Sequence, residues 1–174
     1  LEVLLSEETR EYIYKMSQAW AAYKIMDYGQ VRNHLRQLED IYPVELLAER
    51  DYLIALSLTR SLVKEECDHA FQLLSAYETI RDRFQEPQIW SKTMLLVFAV
   101  FLHAGRREDC RRIHKMLYSF YSEVASVCET YQHDLNVLRR KSIAIYELEI
   151  SCYYLQKSVR YFQPHTVGDV PEYP

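Results

Sequence analysis

The sequence predicts an all-α protein built from antiparallel helical hairpins, about seven helices in all. Three observations carry that expectation. Glycine and proline are scarce, 3 and 5 in 174 residues, whereas sheet-rich folds need turn residues far more often. Apolar residues recur at three- and four-residue steps through most of the chain, the mark of amphipathic helices. Every residue from Met94 to Leu102 is apolar, so a helix there has no polar face and needs cover on all sides. That run is far short of the roughly 20 residues that cross a bilayer, which makes it a buried core helix.

Taken in order, Ser6 followed by Glu7 and Glu8 suits a helix start, because the hydroxyl caps and the acids face the positive helix end. Tyr12, Met16, Ala19, Trp20 and Tyr23 then mark the buried stripe of a first helix, which should end at the turn Asp27-Tyr28-Gly29. A second helix carries Val31, Leu35, Leu38 and Ile41 and stops near Tyr42. Pro43 fits the first turn of a third helix, about 44 to 63, where its missing N–H is harmless. That helix has Leu47, Ile54, Ala55, Leu58 and Leu62 on one side and Leu46, Leu53 and Leu56 on another, as if sandwiched.

KEEC, residues 64 to 67, reads as a turn without glycine. The fourth helix follows with Cys67, Ala70, Phe71, Leu74 and Tyr77. Glu86-Pro87 breaks the chain, Pro87 opens the core helix, and Gly105 ends it. A sixth helix shows Cys110, Ile113, Leu117, Phe120, Val124 and Val127, with its boundary set near Tyr131 to Asp134. A closing helix over 134–162 follows, and Gln163-Pro164 stops it. On this reading residues 1–163 form one helical-repeat domain, with hairpins at about 6–42, 43–84 and 87–131, and 164–174 is an irregular tail. The chain opens LEVLLSEE without an initiator Met and ends PHTVGDVPEYP, which reads as a section of something longer.

The net charge of −4 argues against a generally basic nucleic-acid binder. The four cysteines, at 67, 110, 128 and 152, form no CxxC pair. They read as small core residues of a reducing compartment, with a cytoplasmic location the expectation. No signal peptide or membrane span is apparent.

The helices also repeat. KEECDHAFQLL (64–74) set above REDCRRIHKML (107–117) pairs Cys67 with Cys110, Ala70 with Ile113 and Leu74 with Leu117 at an offset of 43. QVRNHLRQL (30–38) pairs Val31 with Cys67, Leu35 with Phe71 and Leu38 with Leu74 at an offset of 36. Under the same offsets Ala19 falls on Ala55, and Ala22 on Leu58 and Phe101. A lone hairpin cannot hide its own apolar face, so stacked hairpins share one core. The pattern resembles the tetratricopeptide repeat in a degenerate, long-helix form over about residues 10–125. Ala19, Ala22, Val31, Leu35, Leu38 and Pro43 occupy positions that the family fills with small, apolar and terminal proline residues. Phe98 stands where the family has a small residue, His34 and Asp68 interrupt the second-helix pattern, and the spacing exceeds the usual 34 or so. The resemblance implies a right-handed α-solenoid whose first helices line a groove. Carried over position by position, it places Trp20, Tyr23, Lys24, Tyr52, Arg60, Lys92 and His103 on that groove. Packing between hairpins is the second reading of Trp20 and Tyr52.

Chemistry-bearing clusters read as structural. Cys110 and His114 are four apart, a metal-ligand spacing, but a zinc site needs three or four ligands and none joins them. No metal or cofactor is expected. Arg106, Arg107, Arg111, Arg112 and Lys115 crowd one helix, and Arg139, Arg140 and Lys141 form a second basic cluster. Glu108 and Asp109 sit inside the first, so a solvated face of local ion pairs is the reading. No P-loop, GxSxG or HExxH motif is present, and Glu147 and Glu149 diverge on a helix. The sequence thus points to a non-enzymatic interaction or sensing scaffold, a section of a larger regulatory protein that binds a peptide or protein surface. Further domains of a longer chain or a second copy are the other expected partners, and no membrane. A nucleic-acid-binding module using the two basic clusters is the alternative.

Overall fold

The computed structural model describes residues 6–141. Seven α-helices follow one another there, with no strand among the described residues: α1 (Glu7–Lys24), α2 (Tyr28–Arg36), α3 (Val44–Thr59), α4 (Lys64–Ser75), α5 (Pro87–His103), α6 (Arg107–Tyr118) and α7 (Tyr121–Lys141). Two short 3-10 turns, Ala76–Thr79 and Arg81–Arg83, stand between α4 and α5. The chain divides into two compact units between Leu74 and Ser75.

In the first unit Ser6 caps α1 as its sequence suggests, its Oγ accepting from the Thr9 N–H at 3.2 Å. α1 buries Tyr12, Met16, Ala19, Ala22 and Tyr23, and α2 buries Val31 and Leu35. The small Ala19 and Ala22 let the two helices run in close backbone contact, and α3 seats chiefly on α2. Hydroxyls and an arginine fasten this seat. Tyr12 Oη lies 3.0 Å from both the Leu46 carbonyl and Glu49 Oε2, and Tyr42 Oη donates to the Glu8 carbonyl at 3.0 Å. Arg50 donates to the Leu38 carbonyl at 3.0 Å and pairs with Asp40 and the buried Asp51 at 2.8 and 2.9 Å. It thereby satisfies an orphan carbonyl beyond the end of α2. The backbones of α3 and α4 come together far less closely than those of α1 and α2.

In the second unit α5 is the core. Pro87 takes its first position, and every residue from Thr93 to Leu102 is buried, as the uninterrupted apolar run requires. α5 packs on α6, on α7 and on the 3-10 turn Arg81–Arg83. Trp90 is buried and donates from Nε1 to the Tyr77 carbonyl at 2.9 Å, tying the 3-10 segment down. Arg81 pairs with Glu123 at 2.8 Å while its guanidinium lies 4.0 Å from the Phe120 ring centroid.

Several expected boundaries move. The first interhelical turn is Ile25–Asp27, and Gly29 lies inside α2. The left-handed residue of that turn is Met26, at φ 62. The Met26 N–H donates to the Tyr23 carbonyl at 3.0 Å and the Asp27 N–H to the Ala22 carbonyl at 2.9 Å. These two bonds close the helix end by pairing its last carbonyls, and Asp27 then caps α2 by accepting from the Gln30 N–H at 3.3 Å. Pro43 precedes the first helical residue of α3 as its N-cap. α3 ends at Thr59, so Leu62 stands in the following turn and is fully exposed. KEEC is the first turn of α4, where Glu65 and Glu66 favour the helix start. Tyr77 falls in a 3-10 turn beyond α4 yet stays buried.

The expected sixth helix breaks at Ser119–Phe120, and α7 begins at Tyr121, so the boundary set at 131–134 falls inside a helix. The break needs no glycine or proline. Ser119 and Phe120 N–H groups bond back three residues, to Met116 and Leu117, which tightens and ends the helix while the apolar spacing continues. The closing helix beyond Lys141, the tail 164–174, Cys152, Glu147 and Glu149 lie outside the described residues.

Candidate interaction surface

The end of α1 carries an aromatic and cationic cluster. Tyr23 belongs to the buried stripe of α1, and its ring meets Trp20 edge-on at 5.9 Å and Tyr28 at 5.5 Å. Arg60, the C-cap residue of α3, donates from Nε to Tyr23 Oη at 3.3 Å. This bond brings the C-terminal ends of α1 and α3 to the same end of the first unit. Trp20 is half-buried at the edge of the cluster, while Lys24 and Arg60 are exposed. A large aromatic with cations beside it is the chemistry favoured in protein-binding hot spots.

Of the seven residues expected to line a groove, the structure gathers Trp20, Tyr23 and Arg60, with Lys24 in the adjoining last turn of α1. Tyr23 and Tyr52 are only 5 % exposed, so their rings offer a partner little surface. Lys92, half-buried, and His103, exposed, lie on α5 in the second unit.

The same end of the first unit bears four more exposed apolar side chains, of which the sequence pattern names only Leu62, and that as part of a sandwiched face of the third helix. Ile25 and Met26 follow α1 and are 74 % and 72 % exposed; Leu62 and Val63 precede α4 and are 104 % and 50 % exposed. Met26, Leu62 and Gly105 each stand two residues before the next helix begins, and the first two are large where the third is glycine.

Three of the basic residues at α6 are held in ion pairs. Arg106 and Arg112 pair with Asp109 at 2.5 and 2.6 Å, Arg112 also pairs with Glu78 at 2.7 Å, and Arg111 pairs with Glu108. Burial pulls the Asp109 carboxyl upward, but hydrogen bonds from Arg112 and Arg106 outweigh it and hold its pKa below the usual range. Arg139, Arg140 and Lys141 fall in the last turn of α7, and their side chains lie outside the described residues. Cys110 and His114 are both buried in α6, the imidazole stacked on Tyr118 at 5.0 Å and edge-on to Phe98 at 5.9 Å. Burial, helped by Asp109, pushes the Cys110 thiol up to about 12, and burial with Glu129 pushes Cys128 up to about 11. Both thiols are therefore held in the protonated form at neutral pH, the less nucleophilic one. Among the described residues no three His, Cys, Asp or Glu side chains converge on a metal-sized site, and no helix is long and apolar enough to cross a membrane.

No family model matches the chain, and neither a curated protein nor a solved structure shows significant similarity to it.

Proposed function

We propose that the chain is a protein-interaction module, a tetratricopeptide-like section of a larger regulatory protein that receives a peptide or protein surface. The Trp20–Tyr23–Arg60 cluster carries this reading. In it Tyr23 meets the half-buried Trp20 ring edge-on and accepts from the exposed Arg60, with the exposed Lys24 in the same last turn of α1. The repeat register supports it. Val31, Cys67 and Cys110 are each the fourth residue of their helices, and α7 opens 34 residues after α5, at Tyr121 and Pro87. The three described cysteines are free thiols, which suits a reducing, cytoplasmic setting.

The nucleic-acid alternative draws less support, because Arg106, Arg111 and Arg112 are held in ion pairs. Selection of a random peptide library on the whole chain tests the proposal. Enriched peptides should bind, and Trp20→Ala should weaken them about tenfold with the fold intact. Absence of any enriched peptide would overturn it.

A further inference from the structure

We draw no further inference here: the strongest candidate, the exposed apolar side chains of the interhelical turns Ile25–Met26 and Leu62–Val63 in the first unit, carries nothing because nothing in the structure shows what covers them.

Discussion

At α1 and at α5 the chain ends a helix in the same way, with the same pair of closing hydrogen bonds, a left-handed residue and a second helix starting two positions later. The fourth residue of each second helix, Val31 or Cys110, is buried. What fills the two hairpins differs. Ala19 and Ala22 stand in the first where Phe98 and Phe101 stand in the second, all four buried. The alanine hairpin brings its backbones together over more of its length. The third helices differ as well, since α3 seats chiefly on α2 and α7 chiefly on α5. Backbone hydrogen bonding therefore fixes the turn, while side-chain volume decides how closely the helices approach. The first hairpin thus leans on close backbone approach and the second on apolar volume.

The largest expected effect breaks that volume. Phe98→Ala should destabilise the second unit by about 3–5 kcal/mol, the sum of lost burial and a residual cavity. The reverse change, Ala19→Phe, should overpack the first hairpin at a cost of about 1–3 kcal/mol. Amide hydrogen exchange reads both locally. Protection should fall on α5 to α7 for the first variant and on α1 to α3 for the second. Uniform loss in both would show that the hairpins are not separate in energy.

Arginines sharpen the contrast. Arg50→Met removes the ion pair with the buried Asp51 and the donor to the Leu38 carbonyl. A cost of about 3 kcal/mol is expected, because removing one member of a buried pair leaves the other charge less compensated. Arg112 also makes two ion pairs, but its side chain is 48 % exposed. Solvent screening should keep Arg112→Met below about 1 kcal/mol. Denaturant midpoints of the two variants decide the matter, and equal shifts would remove the distinction between buried and surface fastening.

These contrasts show which parts of the structure were legible in the sequence. The burial of α5 followed from nine apolar residues in a row, and the starts of α1 and α5 from Ser6 and Pro87. Val31, Cys67 and Cys110, which the sequence aligns, each stand fourth in their helices, α2, α4 and α6. The turn at Met26 was not legible. The nearest glycine drew the expected turn to Gly29, and nothing in KIMD signals a left-handed residue. The break at Ser119–Phe120 was hidden because the apolar spacing runs through it unchanged. At the candidate surface, Trp20 and Arg60 followed from the repeat alignment. The burial of Tyr23 and Tyr52 and the exposure of Leu62 depended on where α3 sits and ends, which are tertiary facts.

Two buried serines give a smaller effect of opposite sign. Ser57 in α3 is fully buried, donates to the Ile54 carbonyl at 2.7 Å and accepts from Arg32 at 3.4 Å. Ser91 in α5 is equally buried, and its Oγ has no hydrogen-bond partner. Ser57→Ala should cost about 1 kcal/mol, and Ser91→Ala should gain about 1 kcal/mol by removing an unpaired buried hydroxyl. Thermal unfolding of the pair checks the sign. Loss of stability in both would mean that Ser91 is satisfied in solution, and the second unit would then be less purely apolar than described.

The smallest effects test the shared turn itself. A Cβ on Gly105 would meet no atom within 4 Å, so Gly105→Ala isolates the backbone conformation from packing. It should cost about 1 kcal/mol through the left-handed φ alone. Met26→Gly should gain less, about 0.5 kcal/mol, because relief of strain is offset by the added freedom of glycine in the unfolded chain. The two changes should thus move the units in opposite directions by unequal amounts. Should Met26→Gly instead destabilise the first unit, the methionine side chain would be holding the turn in place, and the strain at this position would have a structural cause.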